Sequence, residues 1–163
     1  MQNMIAAPSP NFNERKLPIS LIVLHYTGMK DGPSALARMR DPEAQVSAHY
    51  MVETDGRIFA LVDEDKRAWH AGVSVWRGET DINSNSIGIE IVNGGHDYGL
   101  PDYPAIQITA VIELVRDIMG RHGIGPEGVV GHSDIAPGRK QDPGEKFPWD
   151  RLAEAGCARV ERG

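Results

Sequence analysis

The chain has 163 residues, a formal net charge of −6, a sequence pI near 5.5 and a single cysteine. A domain of this length buries about two thirds of the surface that its unfolded chain exposes, so it needs no disulfide staples, and Cys157 has no second cysteine to pair with. The acidic balance, without clustered Lys and Arg, argues against a nucleic-acid partner, and no apolar run reaches the length of a membrane span.

In chain order, residues 1–18 hold Pro8, Pro10, Asn11, Asn13 and Pro18 and read as an N-terminal arm on a domain spanning 19–152, with 153–163 as a tail. The stretch from Met1 to Pro8 has no basic region followed by a long apolar one, so the expected compartment is the cytoplasm, or the periplasm if a signal segment has been removed. Leu21-Ile22-Val23-Leu24 has the continuous apolar pattern of a strand covered on both faces, and it ends at His25. A short helix through Leu36 and Met39 is stopped by Asp41-Pro42, and a hairpin follows over 49–53 and 57–62 around Thr54-Asp55-Gly56. Residues 66–86, rich in Gly, Trp, Ser and Asn, predict a long ordered loop of the kind that carries function.

A second buried strand is expected over 86–92. The best helix, 105–122, has Ile108, Val111, Ile112, Val115, Ile118 and Met119 at helical spacing and ends at Gly123. Pro126-Glu127-Gly128 turns the chain into Val129-Val130, the Pro and Gly residues of 131–144 exclude regular structure there, and 149–155 form a short final helix. Strands interleaved with helices give an α/β fold, a single domain with a central mixed sheet flanked by helices.

Chemistry concentrates in the stretch from Gly131 to Gly144. Ahead of Pro143, Asp142 favours extended backbone in which alternate side chains share a face, so Lys140 and Asp142 would point into the space that His132 faces. His25, His132 and Asp142 are candidates for a catalytic zinc site, because two imidazoles and a carboxylate leave the fourth tetrahedral position open for water. By residue pattern alone the plainer readings compete: a core histidine after each strand, a turn aspartate, and no His-x-x-x-His signature. In Ile87-Gly88-Ile89-Glu90-Ile91, alternation sets the isoleucines on one face and Glu90 on the other. If that face is buried, Glu90 has the raised pKa of a general base; on an edge strand facing solvent it is ordinary. His96 and His122 read as surface residues, whereas His49 and His70 are buried structural imidazoles or cleft-lining groups, the structural reading coming first for His49.

Five separated blocks can be read together: His25-Tyr26-Thr27, Val46-Ser47-Ala48-His49-Tyr50, Arg67-Ala68-Trp69-His70-Ala71-Gly72, Asn85-Ser86-Ile87-Gly88-Ile89-Glu90 and the stretch from Gly131 to Gly144. In order and spacing they resemble the zinc-dependent N-acetylmuramoyl-L-alanine amidases of the AmpD/AmiD type, bacterial enzymes related in fold to peptidoglycan recognition proteins. The resemblance covers residues 19–152. It implies hydrolysis of the amide between the lactyl group of N-acetylmuramic acid, or its 1,6-anhydro form, and L-alanine of the stem peptide, in peptidoglycan recycling or cell-wall turnover. It also implies zinc on His25, His132 and Asp142, Glu90 as general base and Lys140 beside the oxyanion. Substrate contacts are then expected from Tyr26, His49, Trp69, His70, Asn85 and Arg139. Gln45 and Asp81 stand where recycling enzymes often have arginine, and Trp76-Arg77-Gly78 and Phe147-Pro148-Trp149 look closer to the AmiD type. The expected partner is a muropeptide or peptidoglycan, met by a monomer. The rival readings are a non-catalytic peptidoglycan-binding module and a zinc peptidase or deacetylase.

Overall fold

Two apolar runs, around residues 22 and 88, set the centre of the sheet. The computed structural model describes residues 3–161; residues 1–2 of the expected arm and 162–163 of the expected tail lie outside the described residues. The strands are β1 (Met4–Ala6), β2 (Phe12–Glu14), β3 (Leu21–Tyr26), β4 (Tyr50–Val52), β5 (Ile58–Ala60), β6 (Lys66–Ala68), β7 (Ser86–Ile91) and β8 (Val129–Gly131). The helices are α1 (Gly32–Met39), α2 (Ile82–Asn85), α3 (Ala105–His122), α4 (His132–Ile135) and α5 (Trp149–Glu154).

Six strands form one mixed sheet in the order β1-β5-β4-β7-β3-β8, and β2 pairs with β6 in a second sheet. β3 lies between β7 and β8, parallel to both, and β7 is in turn parallel to β4. The hairpin pairs β4 and β5 antiparallel, with Met51 opposite Phe59. On one face Ile22, Leu24, Ile87, Ile89 and Ile91 pack against Val111, Leu114, Val115 and Ile118 of α3. Each such side chain, fully buried, contributes about 1.5–3 kcal/mol, so α3 is held by its apolar stripe more than by helix propensity. Gly123 ends α3 in the left-handed conformation, at φ 64°, where glycine avoids a Cβ penalty.

On the opposite face, Leu21, Val23, Ala71, Ile82, Val130 and Ile135 form one small cluster, and Ala35, Met39, Ala48, Met51 and Leu61 belong to another. His25 and Glu90 are register partners on that face, at the C-terminal ends of the parallel strands β3 and β7. That end of an open α/β sheet is where ligand crevices form.

Several expectations are corrected here. Residues of the expected arm enter both sheets, with β1 parallel to β5 and β2 antiparallel to β6, and Ala7, Ser9 and Asn11 are buried. The expected loop 66–86 contains β6 and the single turn of α2, and the stretch said to exclude regular structure opens with α4. α4 exists because Asp134 accepts the Gly131 N–H at 2.8 Å and Ala136 donates to the His132 carbonyl at 3.0 Å. In the expected tail, Cys157 and Ala158 are buried in the core beneath α3. Glu90 is on a central strand, which removes the edge-strand alternative.

Candidate active site

A cleft of about 770 Å³ opens at the C-terminal ends of β3 and β7, with His25, Glu90, His132, Lys140 and Asp142 among its lining residues. β3 supplies His25, β7 supplies Glu90, and His132 follows β8 as the first residue of α4. The chain then returns, and Ser133 donates its N–H to the Asp142 carbonyl at 2.9 Å, which holds the aspartate beside the histidine.

Three donor atoms converge: His25 Nδ1 and His132 Nδ1 are 2.9 Å apart, and Asp142 Oδ2 is 3.0 Å from the first and 3.1 Å from the second. All three residues are buried, and they are a group able to hold a metal ion. The second nitrogen of each ring says which edge carries the lone pair. His132 Nε2 is 2.8 Å from the Ala71 carbonyl, which only accepts, so Nε2 bears the proton and Nδ1 is free to ligate. His25 Nε2 faces His70 Nδ1 at 3.0 Å. Lone pairs and a carboxylate aimed at one point repel each other unless a cation stands between them, so this donor set fits a metal, and its two nitrogens and one oxygen suit zinc.

The electrostatics agree with that chemistry. Burial lowers the pKa of His25 and keeps it neutral. Burial raises the Asp142 carboxyl, and a proton shared from the facing ring edges lowers it well below the usual carboxylate range, so the carboxylate form calls for positive charge at this point, from a ring proton or a metal ion. Burial, followed by the charge of Asp142, pushes Glu90 well above its ordinary value, with Lys140 pulling the other way. Glu90 Oε2 is 3.6 Å from His25 Nδ1, within reach of a water held at the convergence point.

Among the other expected residues, Tyr26, Trp69 and Arg139 line the cleft. His49 does not: it is fully buried, with Nδ1 accepting the Gly88 N–H at 3.0 Å and Nε2 donating to the Lys66 carbonyl at 2.9 Å, so it joins β6 to β7 and has no nitrogen left for substrate. Asn85 is also outside the cleft lining, buried at the end of α2. His70 borders the cleft, but both ring nitrogens face protein, His25 on one side and Ser86 Oγ at 3.1 Å on the other. Arg139 donates to the carbonyls of Ala71 at 2.8 Å and Val73 at 2.9 Å, which fixes the loop whose Ala71 carbonyl orients His132.

His96, read as a surface residue, is a cleft residue. The Tyr26 hydroxyl donates to its Nδ1 at 2.8 Å, and its Nε2 donates to Glu145 at 2.7 Å, which links the end of β3 to the loop that carries Asp142. The glycines before it were the available signal: a Cβ on Gly95 would stand 2.6 Å from the Tyr26 ring, so the backbone has to pass against that ring.

Comparison with known proteins agrees with this geometry. The family described as N-acetylmuramoyl-L-alanine amidase matches residues 15–145. The chain is 48% identical over 151 residues to the N-acetylmuramoyl-L-alanine amidase AmiD of Escherichia coli K12, covering 85% of this chain and 53% of that protein. It is 36% identical over 163 residues to the 1,6-anhydro-N-acetylmuramyl-L-alanine amidase AmpD of Haemophilus influenzae, covering 88% of this chain and 86% of the relative. In structure it superposes on the E. coli AmiD complex with anhydro-N-acetylmuramic acid-L-Ala-D-γ-Glu-L-Lys at a TM-score of 0.80 and 40% identity, over 91% of this chain and 66% of the other. The chain thus spans about half the length of the AmiD relative.

Proposed function

The chain belongs to the N-acetylmuramoyl-L-alanine amidase family, and from that premise we propose that it hydrolyses the lactyl–L-alanine amide of anhydro-muropeptides. The observation that carries this reading is the convergence of His25, His132 and Asp142 beside a carboxyl of raised pKa in one cleft. Zinc on those three ligands would supply a Lewis acid that makes water nucleophilic near neutral pH.

The chain's own residues do the rest. Glu90 takes the proton from the attacking water, a task suited to a carboxyl whose pKa has moved towards the working pH. As the carbonyl carbon becomes tetrahedral, the Lys140 ammonium lies on the cleft wall where the oxyanion develops, and one well-placed donor there is worth about 10²–10³ in rate. Collapse breaks the C–N bond, and Glu90 returns its proton to the departing amine of L-alanine. The products are a free stem peptide and a lactyl carboxylate on the sugar. Tyr26 and Trp69 offer ring surface to the substrate along the same cleft.

The reading extends to a monomeric, cytoplasmic recycling enzyme. It is supported by a cleft whose ligands all come from one chain and by an AmpD relative that matches over most of both lengths. Mass analysis of purified anhydro-muropeptide after incubation tests the reaction: release of an intact peptide with N-terminal alanine is expected. Binding without cleavage would make the chain a recognition module, and cleavage elsewhere a peptidase or deacetylase. Fractionation with the periplasm would reassign it to wall turnover. Among the described residues no helix is long and apolar enough to cross a membrane.

A further inference from the structure

His70 stands behind His25, and its hydrogen bonds have a direction that can be worked out from their far end. Ser86 Oγ lies 2.6 Å from the Ile82 carbonyl, an obligate acceptor, so the serine proton points there. With its only proton so placed, Ser86 Oγ can only accept from His70 Nε2 at 3.1 Å. His70 therefore carries its proton on Nε2. Among the described residues no carboxylate contacts the ring, and a buried imidazolium without one is costly, so its Nδ1 is a lone pair. The remaining bond, His25 Nε2 to His70 Nδ1 at 3.0 Å, must then have His25 as donor. The two rings meet edge-on at 86°, with centroids 5.1 Å apart.

We propose that His70 is a positioning residue: anchored by Ser86 and the Ile82 carbonyl, it holds His25 in the Nε2–H tautomer and so commits His25 Nδ1 to the metal. The role rests on reading His25, His132 and Asp142 as a metal site, and it replaces the substrate contact expected of His70. It also explains Gly88. A Cβ there would lie 2.4 Å from His70 Cγ, so β7 needs glycine at the position where the ring lies across the strand. A second orienting route, from Ala71 to His132, ends on a backbone carbonyl that Arg139 holds in place, so a substitution reaches it only indirectly. In the His70 route the orienting groups are themselves side chains and can be replaced directly.

Two substitutions separate the halves of the relay. An asparagine amide at position 70 can place its oxygen near the Nδ1 position, and a glutamine amide reaches towards Nε2 and Ser86. His70→Asn should therefore keep zinc affinity close to that of the unmodified chain, whereas His70→Gln should lower it by about 10–100-fold, the usual effect of removing a ligand's hydrogen-bond partner. Ser86→Ala and Gly88→Ala, which touch neither ligand nor substrate, should each lower it in the same direction. Affinity is read by competition with a chromophoric chelator, with thermal melts confirming that each variant folds. Long-range proton–nitrogen NMR of the His25 ring in the full chain gives the independent readout, with Nε2 protonated in both metal-free and zinc-loaded protein. A His25 ring protonated on Nδ1 and bare at Nε2 in the metal-free chain, or full zinc affinity in His70→Gln, would overturn the proposal. If the unmodified chain takes up no zinc, the metal reading fails, and the NMR result still decides the tautomer.

Discussion

At the scale of single residues, the proposed site separates groups able to hold a metal from groups proposed to act beside it. Glu90 is 3.6 Å from His25 Nδ1 and belongs to neither imidazole's hydrogen-bond set, so Glu90→Ala should keep zinc in full while kcat falls by about 10²–10⁴. Zinc content and turnover measured on the same preparation check this, and a metal-free variant would make Glu90 structural. Lys140 is exposed on the cleft wall without an ion pair among the described residues. Lys140→Met should lower kcat by about 10²–10³ with KM nearly unchanged, since an oxyanion exists only along the reaction path. Lys140→Arg should restore part of the loss, because a planar guanidinium cannot take the same position as a compact ammonium. A raised KM at constant kcat would instead make Lys140 a substrate clamp. His25, His132 and Asp142 stood out in the sequence as metal-binding types after an apolar strand or at a turn signal, but pattern alone left a core histidine and a turn aspartate as the plainer readings, and the five blocks read together were needed to set them side by side. The second use of His70 was not visible there, since it depends on Ser86 and a backbone carbonyl that only the fold brings to the ring.

At the scale of elements, legibility followed the number of residues that share a pattern. β3, β7 and α3 are long enough for apolar periodicity to specify them, and they form the main core. β1, β2 and β6 are three residues each, with side chains that are exposed or half-buried except for Ala68, and exist because a neighbouring strand satisfies their backbone. α2 and α4 are single turns fixed by caps such as the Asp81 carboxylate, which accepts the Ser84 N–H. One tie between elements has a pH signature. Glu64, after β5, receives hydrogen bonds from Tyr50 of β4 and from Arg121 and His122 at the end of α3. Burial would raise its carboxyl, but these partners bring it down to about 2. A folded pKa below the unfolded one contributes stability that is complete above the ordinary value of 4.5 and is lost as pH falls towards 2. Glu64→Gln should cost about 1–3 kcal/mol at pH 7. The gap in urea midpoint between the two proteins should then narrow as pH is lowered through that window. A constant gap would show that the tie is not electrostatic.

At the scale of the whole molecule, the proposed metal site ties metal binding to folding, because an unfolded chain has no preformed site. A ligand present at about 1,000 times its Kd adds about 4 kcal/mol, and for domains of this size each kcal/mol moves Tm by about 2–4 °C, so removing zinc should lower Tm by roughly 8–16 °C. Calorimetry with and without a chelator measures this, and an unchanged Tm would show that no ion is held between the three side chains. Those side chains lie far apart along the chain, with 107 residues separating His25 from His132 and 117 separating His25 from Asp142. Parallel pairing of β3 with β8 requires a crossover, and here it contains β4 to β7 and α3, which also sets an order in time. At about 5–20 residues per second, a ribosome that has added His25 needs roughly 6–23 s to reach Asp142, and until then the nascent chain has no complete ligand set. A nascent chain that has not reached Asp142 therefore lacks one of the three side chains of the candidate metal site.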